Sequence, residues 1–140
     1  MNRLARYLMP FSAAAMLAGC GVKESIEHAS VEVDAFHKDL DAGNWQDVWT
    51  HADPQLRQAS QRDQFEKLME AIHRKLGRVR SSKQAGWNAN TTTGGSFVTL
   101  TMQTAFEKGT GVETFVFRKD DGGKLALVGY NIQSQDMMLN

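Results

Sequence analysis

The apolar pattern changes period halfway along the chain, and that change limits the fold more than any other feature. In the first half, Ile26, Ala29, Val33, Phe36 and Leu40 are separated by 3, 4, 3 and 4 positions. This draws a single stripe along an amphipathic helix. Phe65, Leu68, Met69, Ile72 and Leu76 draw a second one. From Ser96 onward the period falls to two: Val98, Leu100, Met102 and Phe106 share one face, and Phe97, Thr99, Thr101 and Gln103 the other. Helices followed by an antiparallel meander define an α+β domain. The expected architecture is N-terminal helices packed on a curved four-stranded sheet. The sheet should curl around the first helix, whose stripe alone is long enough to cover four strands.

Turn chemistry divides these segments. Gly43 stops the first helix, and Asn44 can cap a short second one carrying Trp45, Val48 and Trp49. Asp53-Pro54 reads as a cap with proline in the first turn. Ser60 with Asp63 resembles a capping box, and Gly77 ends the helix that follows. A weakly patterned strand runs from Val79 to Trp87, with a Thr- and Gly-rich turn from Thr91 to Gly95. Lys108 to Gly111 signals a hairpin, Val112 to Arg118 a third strand, and Asp120 to Gly123 a turn. Leu125 to Gln133 completes the sheet, with Val128, Tyr130 and Ile132 on one face and Leu127 on the other.

The N-terminus carries an address. Arg3 and Arg6 precede a mostly apolar run from Tyr7 to Ala18, too short to span a bilayer, which takes roughly 20 residues, but suited to a secretory leader. The run ends in Leu17-Ala18-Gly19-Cys20, and Cys20 is the one cysteine in the chain. This tetrapeptide resembles the lipobox of bacterial lipoproteins at all four positions. The resemblance implies removal of residues 1–19 as a signal peptide, acylation of Cys20, a short tether over 20–24, and a single domain over 25–140. Acyl chains on Cys20 would then hold the protein to the membrane, facing the periplasm. No Asp follows the cysteine, so the outer membrane is expected over the inner. The alternative is a cytosolic protein with an apolar start and a chance cysteine.

Composition excludes several classes. The 16 Lys and Arg balance the 16 Asp and Glu, which leaves no basic excess for a nucleic-acid surface. With one cysteine there is neither a disulfide framework nor a Cys-cluster metal site. The sequence has no G-x-S-x-G, P-loop or dinucleotide fingerprint. No cofactor is expected and no metal.

The segments Phe36-His37-Lys38-Asp39-Leu40-Asp41-Ala42-Gly43-Asn44-Trp45, Arg74-Lys75-Leu76-Gly77-Arg78-Val79, Glu113-Thr114-Phe115 and Leu127-Val128-Gly129-Tyr130-Asn131-Ile132 together resemble a family of small bacterial envelope proteins of unknown function. That resemblance implies a cystatin-like or NTF2-like cone and does not imply an activity. The cystatin inhibitory signature is missing.

Candidate side chains were weighed by chemistry. Trp45, Trp49, His51, Trp87 and Tyr130 are candidates for the lining of a pocket in the cone, or else simply core-packing residues. His51 with Asp53 has the residue types of an acid–base pair, although Asp53 is equally placed to cap a helix. His28, His37 and His73 read as helix-edge histidines without ligand spacing. Glu113 shares a face with Phe115 and Phe117; if that face is internal, the carboxylate needs a partner, with Arg78 or Arg80 as candidates. The expected role is that of a lipid-anchored, non-enzymatic interaction or assembly module, meeting another envelope protein or a second copy. The alternative is a small-ligand binder or weak-motif enzyme using the cone pocket.

Overall fold

The computed structural model describes residues 17–140, with side chains from residue 21. The basic start and residues 1–16 of the leader lie outside the described residues. Helix α1 spans Leu17–Ala42, α2 Trp45–His51, α3 Pro54–Ala59 and α4 Arg62–Leu76; strands β1 (Val79–Thr92), β2 (Gly95–Phe106), β3 (Gly109–Lys119) and β4 (Leu125–Gln133) follow, then α5 (Gln135–Leu139). The strands form one open antiparallel sheet in sequence order. This is the α+β arrangement that the change of period implies.

The α1 stripe is the inner face of the first layer: Ala29, Val33 and Leu40 are fully buried and Phe36 nearly so. From α4, Phe65, Met69, Ile72 and Leu76 join them, and from the sheet Val98, Leu100, Met102, Phe106, Phe115 and Phe117. Val31, on the opposite side of α1, remains exposed. Residues 20–24 are helical, so α1 continues through the expected tether without a break. Gly43 and Gly77 end α1 and α4 with φ of 74° and 77°, the left-handed backbone that glycine adopts without a Cβ penalty.

Asp53 caps α3 as expected, its Oδ1 accepting from Gln55 N at 2.9 Å, with Pro54 opening the helix. Its own N–H donates to Leu127 O at 2.9 Å, which ties α3 to the open edge of β4. The α4 start differs from expectation. Gln61 takes the cap position rather than Ser60, with no side-chain cap bond.

The sheet corrects four boundaries or faces. β1 continues to Thr92 rather than stopping at Trp87, because pairing with β2 runs from Val79↔Phe106 to Thr92↔Gly95 and holds residues whose own pattern is weak. Glu107 and Lys108 make the β2–β3 turn, and Gly109 to Gly111 already belong to β3. Leu127 is not opposite Tyr130: a register shift skips Val128 between the pairs Phe117↔Leu127 and Val116↔Gly129. Such a bulge reverses the alternation on its own strand, so Leu127 and Tyr130 both pack on the core. Helix α5 was not anticipated. Ser134 caps it by accepting from Met137 N at 3.1 Å, and Asp136 accepts from Thr110 N at 2.9 Å. Gly109 makes room for this contact: a Cβ there would sit 2.5 Å from Asp136 Cβ.

Candidate functional site

The alternation of β3 turns Glu113 inward beside Phe115 and Phe117, and the carboxylate is completely buried. Its partners are neither Arg78 nor Arg80. Both arginines are exposed, and the polar contacts come from three other elements. His37 Nε2–H on α1 donates to Glu113 Oε2 at 2.7 Å. Thr104 on β2 donates to the same oxygen at 2.5 Å, and Tyr130 on β4 donates to Oε1 at 2.6 Å. Ser82 on β1 extends the chain, 2.9 Å from the Thr104 hydroxyl. Three donors on one carboxyl group match an ionised glutamate, which only accepts. Burial first, then the Glu113 charge and their hydrogen bond, push the Tyr130 hydroxyl well above its ordinary range and keep it a donor.

Aromatic rings surround this polar centre. Phe36 stands edge-on to Phe115 at 5.0 Å and lies 4.7 Å from Tyr130, and Phe115 is 5.1 Å from Tyr130. Each element thus contributes both an apolar body and a polar tip. His37, expected at a half-covered helix edge, is instead buried because α1 lies directly over the Glu113 position of the sheet.

The five pocket candidates lie in different surroundings. Trp45 donates from Nε1 to Leu40 O at 3.2 Å and its ring lies 6.4 Å from His73. Trp49 packs on Phe65 at 5.6 Å. Trp87 is 54% exposed on the edge strand β1, away from both. Tyr130 belongs to the Glu113 network and also lines a shallow depression with Leu56, Phe65 and Leu68. His51 is exposed, its Nδ1 2.8 Å from Asp47 O. Asp53 turns away from it and pairs with Arg118, whose Nε donates to Asp53 Oδ2 at 2.9 Å and whose Nη2 lies 2.8 Å from that oxygen. The His51 and Asp53 side chains therefore do not form the acid–base pair that their spacing allows.

His51 does border an open cleft of about 430 Å³ between α1, α2 and the β3–β4 hairpin. Its floor is apolar, with Phe36, Val48, Phe117 and Leu127, and its rim carries Glu32, Asp39, Asp47 and Asp120 against Lys124. Among the described residues no group of three or more His, Cys, Asp or Glu has the arrangement to hold a metal ion. Among them, too, no helix is long and apolar enough to cross a membrane.

Four strands, a covering helix and a sealed carboxylate centre define a small α+β domain with a polar core. Residues 32–130, more than two thirds of the chain, match the family model described as protein of unknown function, DUF4019, and the chain belongs to that family. The matched span contains the whole network, from His37 to Tyr130, and leaves out Cys20 and α5. No curated protein matches the chain.

Proposed function

We propose that this protein is a lipid-anchored bacterial envelope protein whose domain, cystatin-like or NTF2-like in descent, serves as a non-enzymatic interaction module. The observation that carries the reading is the state of Glu113. Its carboxylate is completely buried and its hydrogen bonds are taken by His37, Thr104 and Tyr130. A general acid or base must reach substrate, whereas a closed, satisfied network serves to fix the packing of α1 on the sheet. Chemistry-bearing residues spent on the core leave recognition to the surface. The lipobox-like tetrapeptide at Cys20 supports removal of residues 1–19. The 14 basic and 16 acidic residues that then remain give a nearly neutral domain held by acyl chains, in the outer membrane over the inner. The partner is another envelope protein or a second copy.

Crosslinking in intact cells, followed by mass spectrometry, tests this. One dominant protein crosslink or a self-crosslink is expected, and the absence of both from the acylated protein refutes it. A Cys20→Ser variant should leave the membrane fraction; full retention there removes the anchor. A second reading has one observation in its favour, the open cleft beside His51 with its apolar floor and carboxylate rim. That lining suits a small apolar cation, and a thermal-shift screen with such amines tests it.

A further inference from the structure

The course of α1 makes the anchor an orienting device. The helix is unbroken from Leu17 to Ala42, so Cys20 stands one helical residue, about 1.5 Å of rise, from Gly21. Gly21, Val22 and Ser25 in the first turns line a cavity of about 400 Å³ against Asn90, Phe97 and Lys119. These three belong to the last rows of the sheet, where Asn90 pairs with Phe97, and Thr91 with Ser96 and then Lys119. The β1–β2 turn at Thr93 and Gly94 and the β3–β4 turn at residues 120–124 lie at that same end. The other end carries the β2–β3 turn, the close of α4 and α5, held together by Lys108 N donating to Leu76 O at 2.9 Å and Lys75 Nζ donating to Met137 O at 2.8 Å. The 11 residues of β3 connect the two ends, a span of about 35 Å at strand rise.

We propose that the pole formed by the first turn of α1, the β1–β2 turn and the β3–β4 turn lies against the lipid bilayer, and that α5 and the β2–β3 turn point away from it. This rests on the acylated-Cys20 reading. A helix that packs on the sheet from Ile26 onward has no slack to let the domain roll freely about its anchor. The near pole suits a headgroup surface. Thr92, Thr93 and Gly94 are uncharged, and Lys119 and Lys124 balance Asp120 and Asp121, so acyl chains rather than charge supply the attachment. The far pole presents Met138 and Leu139, 77% and 83% exposed, to whatever approaches from the periplasmic side.

The test uses the full chain made in a lipoprotein-processing bacterium and reconstituted in phosphatidylethanolamine–phosphatidylglycerol vesicles with spin-labelled headgroups. Thr93→Cys and Asp121→Cys mark the near pole, and Lys108→Cys and Met138→Cys the far one; all four positions are exposed and each carries a fluorophore. Strong quenching at Thr93 and Asp121 with none at Lys108 and Met138 is expected. Equal quenching at both poles, or the reverse order, overturns the orientation. The intact mass of the same protein separates this from a failure of the anchor. Diacylglycerol on Cys20 with equal quenching leaves the anchor and removes the orientation, whereas an unmodified Cys20 in protein that does not sediment with vesicles removes both.

Discussion

Replacing Glu113 tests whether the buried network carries the stability of the fold. In Glu113→Ala, three donors lose their acceptor at once: His37 Nε2, Thr104 Oγ1 and Tyr130 Oη. A buried donor left unpaired costs about 1–3 kcal/mol. His37 is sealed and takes the full cost; Thr104 retains Ser82 as a neighbour, and Tyr130, only partly buried, pays less. With the cavity added, the loss should be about 4 kcal/mol or more, a large share of the roughly 5–15 kcal/mol that holds a domain folded. Glu113→Gln keeps the shape. Its carbonyl can accept from His37 and Thr104, and its amide must donate to a Tyr130 hydroxyl that turns around. Only charge assistance is lost, about 2 kcal/mol. Urea unfolding followed by tryptophan fluorescence reads both, as does a fall in Tm of about 4 °C per kcal/mol. Combining Glu113→Gln with Tyr130→Phe should show coupling of about 1 kcal/mol. If Glu113→Ala unfolds within about 0.5 kcal/mol of the parent, or the two changes simply add, then Glu113 is not the shared acceptor and the reasoning fails.

Tyr130 should also report on the network at high pH. Its folded pKa lies above the unfolded value, so its contribution to stability is intact below about pH 10 and is lost as pH rises through the folded value. With residues 1–19 removed it is the sole tyrosine, and tyrosinate absorbance should stay absent at pH 10 and appear together with unfolding; ordinary titration near 10 would count against the burial. Asp53→Ala removes a helix cap and a nearly buried partner of Arg118 together, and should cost about 3 kcal/mol in the same urea assay, whereas loss of the cap alone would cost about 1. Trp87→Ala should change stability by less than about 0.5 kcal/mol, since the ring is 54% exposed, while Phe115→Ala in the full core should cost about 4. Gly109→Ala should displace Asp136 and free α5, read as faster amide exchange at Met137 to Asn140 with the sheet still protected.

Much of this molecule is local and therefore legible along the chain. The 3- and 4-residue spacing from Ile26 to Leu40 names the buried face of α1, because helix geometry alone decides which residues share a stripe. Asp53-Pro54 names its own cap, and Gly43 and Gly77 name helix ends, because each acts on backbone within a few residues. Alternation likewise puts Glu113 on the face of Phe115 and Phe117. Other features needed contacts between distant residues. β1 is held to Thr92 by pairing with β2 rather than by its own weak pattern, and the bulge at Val128 reverses the face of Leu127 only because β3 sets the register. His37 lies 76 positions from Glu113, and a histidine beside an apolar stripe looks the same whether it meets water or a carboxylate. The angle at which α1 crosses the sheet decides between them. That angle follows from ridges of side chains fitting each other across layers, a property of no single segment, so the identity of each element was decided by sequence and the chemistry at their meeting point by tertiary packing.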